Sequence, residues 1–421
     1  MTENGAPRRP VVTELRLSAF RGHRGLRLPL APMTLLAGAG GSGKSTVLEA
    51  YGALTRLAGG ESLEEVFGGG PGGPTAYVPR GTPRDRQGRR GFRLGCTVDG
   101  PAGPVRLDLA VQAEPELRIA GERLTGADGR TLLSTALRDP ARRAVRAEWY
   151  AAGAGRTSRA PLPDDRLGTA LLPLRVAGAT EGERRVLAAV EQVVPALRAG
   201  FACDPRPETM RAPASAADGL LRGGCDNLAA VLARTRTECR TRHAALLEAV
   251  RAGLALPVAE LSTEPWVERG GTGMVRALVD HGDGLEPTPV DRLGDGQLRY
   301  LALALVLLTG PGVLEVDPVR EVPDAHQALT LLVDGLDRCL DARQRRELLG
   351  LAARMCERGH IRLLGTLYDA SAVPGVPGTR LVRLDAGARR GAADGAADGA
   401  ADRAAKETVD GAVDGVVGAR T

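Results

Sequence analysis

At 421 residues with 43% apolar side chains, the chain exceeds one typical domain and can fill a sizeable core. Its net charge of +5, from 56 basic and 51 acidic residues, is close to balanced, and 3% aromatics leave little for base stacking, so nucleic acid is not a favoured partner. The longest apolar stretch, Leu301 to Leu308, is far too short to span a bilayer, and the N-terminus lacks the apolar run of a signal peptide, so no membrane role and a cytoplasmic location are expected.

The six cysteines (Cys96, Cys203, Cys225, Cys239, Cys339, Cys356) are scattered, with no C-x-x-C pair. That pattern excludes a zinc ribbon and a disulfide scaffold and points to buried, reduced thiols. Among the basic residues only Lys44 and Lys406 are lysines; all others are arginines. In such a chain, arginine-rich stretches (Arg84, Arg86, Arg89, Arg90, Arg93) read as a solvated loop. A lysine kept inside a glycine loop is more telling, because a phosphate cradle accepts a compact ammonium more readily than a guanidinium fork.

In chain order, residues 1–10 read as a flexible N-terminus and Val11 to Leu17 as a strand, followed by a turn at Phe20-Arg21-Gly22 and a second strand near Leu26 to Leu30. Phe20 reads as core and Arg21 as surface. Met33 to Ala37 is a short apolar run ending at Gly38-Ala39-Gly40-Gly41-Ser42-Gly43-Lys44-Ser45, and Ser45 to Leu57 has helical spacing. This is G-x-x-x-x-G-K-[S/T] between a strand and a helix. Backbone N–H groups of such a loop and of the following helix N-terminus hold phosphates. Lys44 would neutralise the β- and γ-phosphates and the Ser45 hydroxyl would ligate Mg²⁺, with Thr46 completing the nucleotide-binding run. ATP and Mg²⁺ are therefore the expected cofactors.

Residues 59 to 90 are dense in Gly, Pro and Arg and read as a loop. Alternation in Gly91–Val98, Val105–Gln112 and Glu116–Ile119 predicts antiparallel strands. Helical spacing returns in Glu181–Arg198, Asn227–Thr237 and Thr241–Ala252, none long enough for an extended coiled coil. From residue 291 the pattern is a glycine turn, a helix (Gln297–Leu308), a strand (Leu329–Val333), a helix (Ala342–Arg358) and a strand (Ile361–Thr366), which argues for a parallel sheet flanked by helices. The Gly-Ala-Ala-Asp repeats beyond residue 386 predict a disordered tail over 386–421. His243, His281 and His326 lack partners at ligand spacing and receive no role.

The motifs resemble those of the ABC-type AAA ATPases related to RecF and SMC heads. Leu15, Leu17, Phe20, Arg21 and Gly22 resemble the opening strand of that group, and the stretches Cys203 to Arg211 and Gly224 to Ala229 are similar to segments of its stand-alone members. Leu293-Gly294-Asp295-Gly296-Gln297-Leu298-Arg299 resembles its signature motif, L-S-x-G-x-x-R. The resemblance covers most of residues 11–385 and implies one P-loop NTPase head of α/β class. In it, a lobe with the glycine loop (11–59), a β and helical insertion (60–290) and a signature and magnesium lobe (291–385) would follow one another. It also implies that Gly294, Gly296 and Gln297 face a γ-phosphate held by a second copy, so that ATP closes a two-fold homodimer. A further, unidentified protein partner is compatible with such a switch.

For the magnesium aspartate, Asp334 at the end of Leu329–Val333 is preferred over Asp317, because the helix and strand that follow it match the family order. Three positions depart from that pattern. Gly335 stands where a glutamate polarises the attacking water, Leu367 where a histidine approaches the γ-phosphate, and Gly294 where the signature serine lies. Asp337 and Asp341 are the nearby carboxylates, and Asp337 is the candidate to join Lys44 and Asp334 in catalysis. The expected function is an ATP-dependent dimeric switch with slow hydrolysis. The alternatives are an ATP-binding regulatory module that does not hydrolyse, or a RecF-like ATPase of DNA repair.

Overall fold

The structure, a computed structural model, describes residues 9–384 except 140, 153–155, 267–272, 283, 311–312, 316–327 and 374. The expected tail (386–421), Asp317 and His326 lie outside the described residues. The described chain forms two compact units. One draws on Met1–Pro29 and Glu49–Leu197, the other on Leu30–Leu48 and Arg198–Leu384.

The first unit is built on an eight-stranded antiparallel sheet. Its order is His23–Pro29, Val11–Phe20, Arg90–Asp99, Val105–Glu114, Arg118–Thr125, Thr131–Ala136, Ala144–Ala152 and Arg156–Pro163. The period of two is plain in Val105–Glu114, where Val105, Leu107, Leu109 and Val111 are buried and the intervening residues are half-exposed. The last three strands were not among the sequence expectations, although Ala144–Ala152 alternates, with Val145, Ala147, Trp149 and Ala151 buried. Arg156–Pro163 carries two prolines, which an edge strand tolerates because one side of its backbone makes no ladder. Phe20, Phe67, Tyr77 and Phe92 form an aromatic cluster with centroids 4.9–5.7 Å apart. Phe67 reaches it from a short helix, Leu63–Phe67, inside the segment expected to be loop. A capping box between Ser62 and Glu65 and the burial of Leu63 and Val66 explain how a five-residue helix persists there. The helix Glu181–Arg198 is fastened to the sheet through buried Gln192, whose amide donates to the carbonyls of Val98 (2.9 Å) and Gly103 (2.7 Å).

The second unit holds a five-stranded, all-parallel sheet in the order Gly200–Cys203, Leu329–Val333, Ile361–Thr366, Met33–Ala37, Thr379–Arg383. Every residue of Met33–Ala37 and of Leu329–Val333 is buried, as expected for strands covered on both faces. The edge strands Gly200–Cys203 and Thr379–Arg383 are short, and no apolar run announced them. The helix Asp295–Leu308 is buried without interruption from Leu298 to Leu307, so it is a central helix with no polar face. Ala342–Glu357 is amphipathic, and its buried Leu348, Leu349, Ala352 and Met355 belong to the same core as the strands. A hairpin, Glu260–Trp266 with Met274–Asp280, extends this unit. Lys44–Ala58 begins in the second unit and continues into the first. Among the described residues, no helix is long and apolar enough to cross a membrane.

Candidate functional site

The buried strand Met33–Ala37, third in its sheet, delivers the chain to the glycine loop. At Gly38 the backbone turns with φ +148°, and a Cβ there would stand 2.3 Å from the Leu384 carbonyl oxygen and 2.9 Å from Ser42 Oγ, so only glycine fits. Ala39, Gly40, Gly41, Ser42 and Gly43 complete the loop. The Ser42 N–H donates to the Ala39 carbonyl (3.1 Å), and the Val47 N–H to the Gly43 carbonyl (3.2 Å), starting the helix at Lys44. Lys44, Ser45 and Thr46 thus occupy its first turn, where backbone N–H groups lack partners within the helix and its positive dipole end lies. The Lys44 ammonium folds over the loop, donating to the carbonyls of Gly38 (2.7 Å) and Ala39 (3.2 Å).

Asp334 follows Leu329–Val333, two strands away in the same sheet, and the parallel register brings it to the loop. The Ser45 hydroxyl donates to Asp334 Oδ2 at 2.9 Å across 289 residues of sequence. The other carboxylate oxygen, Oδ1, accepts from Thr366 Oγ1 at 2.6 Å, and that same hydroxyl accepts the Gly335 N–H at 2.7 Å. Thr366, buried at the end of Ile361–Thr366, went unnoticed in the sequence, since a threonine closing an apolar strand carries no spacing signal. Its neighbour Leu367 is buried and donates its N–H to the Leu36 carbonyl.

Gly335 has φ +62°, and a Cβ added there would meet Tyr368 Cε2 at 2.9 Å and Arg338 Nε at 3.0 Å. The left-handed backbone opposes a side chain at this position, whereas the Tyr368 ring, 70% exposed, and the Arg338 end are side-chain tips that can swing aside. The nearby carboxylates are engaged elsewhere. Asp337, 8% exposed, accepts the N–H groups of Tyr368 (2.9 Å) and Asp369 (2.8 Å), which ties down the turn after Ile361–Thr366. Asp341 caps Ala342–Glu357 through the Gln344 N–H at 2.8 Å.

The signature stretch opens the helix Asp295–Leu308. Gly294 is its N-cap, and the Gln297 amide oxygen accepts the Gly294 N–H at 2.9 Å. Gly296 packs so closely on the Cys339 carbonyl oxygen that a Cβ would come within 2.2 Å of it. Among the described contacts these residues meet their own helix and the Cys339 turn, and the loop at 38–46 is not among their partners. Arg211, from one of the middle stretches, holds the entry to this helix. It donates to the carbonyls of Asp291 (3.2 Å) and Leu293 (3.0 Å) and pairs with Asp295 at 2.7 Å.

Elsewhere, three arginines of the arginine-rich stretch have acidic partners: Arg84 and Arg90 share Glu114, and Arg89 closes on Asp85, while Arg86 and Arg93 are exposed. The hydrogen bond from Arg90 holds the Glu114 carboxyl below the usual carboxylate range. His243 pairs with Glu260 at 2.6 Å. Cys96, Cys203, Cys225 and Cys356 are buried free thiols as expected, but Cys239 is half-buried and Cys339 exposed. Burial pushes Cys96 up to about 12. No cluster of three or more His, Cys, Asp or Glu at metal-binding distance occurs among the described residues.

Neither a protein-family model nor a curated relative matches the chain. Solved structures resembling it include an Smc head bound to the C-winged helix domain of ScpA, at 12% identity and TM-score 0.43, covering 86% of this chain and 91% of that one. Others are an SMC head domain from Thermotoga maritima (11%, 0.38, 85% and 89%) and a Pyrococcus furiosus Smc head with an extended coiled coil bound to the C-terminal domain of ScpA (10%, 0.38, 86% and 91%). At TM-scores below 0.5 these likenesses carry no conclusion about this chain.

Proposed function

We propose that this chain is an ABC-type ATPase head that binds Mg·ATP at the glycine loop and Asp334 and hydrolyses it slowly. One observation carries the reading: the 2.9 Å hydrogen bond between Ser45 and Asp334, which places a hydroxyl and a carboxylate together at the mouth of a glycine loop. Two hard oxygen donors suit Mg²⁺, which takes few protein ligands and completes its shell with water and phosphate oxygens. That preference agrees with the absence of a larger acidic or histidine cluster among the described residues. When bound, Mg²⁺ would offset the negative charge of the β- and γ-phosphates. The chain's own residues do the rest. The N–H groups of residues 38–46 hold the phosphates, Lys44 leaves the Gly38 and Ala39 carbonyls for the phosphate oxygens, and Thr366 fixes the Asp334 carboxylate so that Oδ2 faces Ser45.

Slow hydrolysis follows from Gly335. No side chain there can orient water, and Asp337 accepts two backbone N–H groups and is turned away from that task. Losing a general base lowers a rate by about 10²-fold or more. In this reading Asp337 positions the turn, and Gly294, Gly296 and Gln297 start a helix whose N-terminus addresses the nucleotide of a second copy in an ATP-closed homodimer. The alternative, a binding module that never turns over, is favoured by the left-handed backbone at Gly335, which disfavours any water-orienting side chain there. Nucleic acid is not favoured, because Arg84, Arg89 and Arg90 already have acidic partners.

Single-turnover phosphate release and ATP titration, on wild type, Lys44→Ala and Asp334→Asn, test the proposal. Slow release in wild type that both variants abolish supports the enzyme. Binding without release supports the module. ATP binding that Lys44→Ala leaves intact refutes both.

A further inference from the structure

We infer that Arg299 is the positioning residue of the metal site, coupling the helix Asp295–Leu308 to the turn that carries Asp334. Arg299 is 1% exposed, one of the largest fully buried side chains of the protein. A buried guanidinium is unfavourable unless its donors are matched; the Arg299 Nε, also buried, has no hydrogen-bond partner among the described residues, so the partners of the two terminal nitrogens show what holds the side chain there. Nη2 donates to the Gly335 carbonyl at 3.0 Å, with the Asp334 carbonyl at 3.5 Å. Nη1 donates to the Pro205 carbonyl at 2.5 Å and to Asp204 Oδ1 at 3.2 Å. One side chain thus joins three segments: the helix that opens at Gly294, the end of the strand Gly200–Cys203, and the turn after Leu329–Val333.

The consequence for Asp334 is geometric. Thr366 Oγ1 grips the carboxylate and the Gly335 N–H, while Arg299 grips the carbonyl of that same residue. The Asp334–Gly335 turn is therefore held from both sides, and Gly335, with φ +62°, offers no side chain of its own to stiffen it. A lysine has one donor group where arginine has a planar fork, and cannot bridge the Gly335 and Pro205 carbonyls in the same way. Without the fork, the Asp334 carboxylate loses its fixed aim at Ser45, and metal binding weakens while the phosphate loop, which follows an Ala37 carbonyl bonded by the Leu384 N–H, stays intact. Because Arg299 rises from the signature stretch, a shift of that helix would reach the metal site through this side chain, beside the packing of Gly296 on the Cys339 turn.

This role rests on the proposed nucleotide site, and the test separates the two. ATP affinity of wild type, Arg299→Met, Arg299→Lys and Lys44→Ala is measured with excess Mg²⁺ and again with EDTA, alongside nucleotide-free melting curves. Arg299→Met is expected to lower the affinity gained from Mg²⁺ by about 10- to 100-fold, as outer partners of metal ligands do. Metal-free affinity should stay within about twofold, with Arg299→Lys between Arg299→Met and wild type. A merely structural arginine would lower both affinities together, and that result overturns the inference. So does wild-type metal dependence in Arg299→Met. If Arg299→Met does not fold, the lysine variant decides, and wild-type metal dependence in it overturns the inference. Wild type that binds no ATP in either condition overturns the nucleotide reading and this role together.

Discussion

The two units place their buried polar groups to different ends. In the antiparallel unit three charged side chains are matched by partners within the sheet and its connections. Arg16 is matched by Glu14, Asp108 and the Cys96 and Leu107 carbonyls, Arg118 by Asp164, and Glu122 by the N–H groups of Gly168 and Thr169. In the parallel unit, Ser45, Thr366 and Arg299 all converge on Asp334 and Gly335. Topology explains the contrast. Neighbouring parallel strands end on the same side, so residues far apart in sequence gather at their carboxyl ends, whereas antiparallel strands deliver successive ends to opposite sides. Closure in one unit and convergence in the other distinguish the unit to which the proposed site is assigned.

The sharpest way to break that contrast is to open a closed pair. Arg118→Met leaves Asp164 buried and uncompensated, and should destabilise the protein by about 3–5 kcal/mol in denaturant titration, with ATP affinity of the folded fraction unchanged. Lys44→Ala should do the reverse. It removes a charge-assisted phosphate contact worth about 1.5–3 kcal/mol, a ~10- to 100-fold loss of ATP affinity by calorimetry, with little change in melting. If Lys44→Ala melts much earlier, the converging residues are structural and the comparison fails. Gly335→Glu tests the backbone at the site. It should cost about 1–3 kcal/mol in stability and leave phosphate release slow, because the left-handed backbone there disfavours a side chain and its aim. Rapid turnover in that variant would show that the backbone accommodates a working glutamate.

Two smaller effects sharpen the antiparallel side. Ser62→Ala removes the cap of Leu63–Phe67 and should lower stability by about 1 kcal/mol, read as a shift in the urea midpoint. The Glu114 carboxyl, held below its usual range by Arg90, contributes stability that is present above the ordinary glutamate pKa of about 4.3 and lost as pH falls through its depressed folded value. Wild type should therefore lose slightly more stability on acidification below pH ~4 than Glu114→Gln does. An equal slope in both would show that Arg90 and Glu114 are screened by solvent.

Much of the site was legible because it is local. Residues 38–45 declare a phosphate loop by spacing alone, and Asp334 stands out as a carboxylate ending a wholly apolar strand. Thr366 was not legible as a site residue, and Arg299 was legible only as the last residue of the signature-like stretch, since each acts through atoms supplied by a distant segment. The strands Gly200–Cys203 and Thr379–Arg383 were missed for a similar reason: four or five residues at a sheet edge set no period of their own, and pairing with Leu329–Val333 and Met33–Ala37 makes them strands. The short helix Leu63–Phe67 was hidden by the glycines and prolines around it, although its capping box was there to be read.

By itself the amino-acid sequence determined the glycine loop, the apolar strands on either side of the site, the parallel character of the second sheet and the lack of a carboxylate at position 335. Those features depend on residue type and short-range periodicity, which act over a few bonds or a few turns. Only the tertiary structure decided that Asp334 meets Ser45, that Thr366 and Arg299 grip one turn from two sides, and that Asp337 serves a backbone turn. Each of these depends on strand order and register, which set distances between atoms separated by hundreds of residues and leave no trace in local spacing.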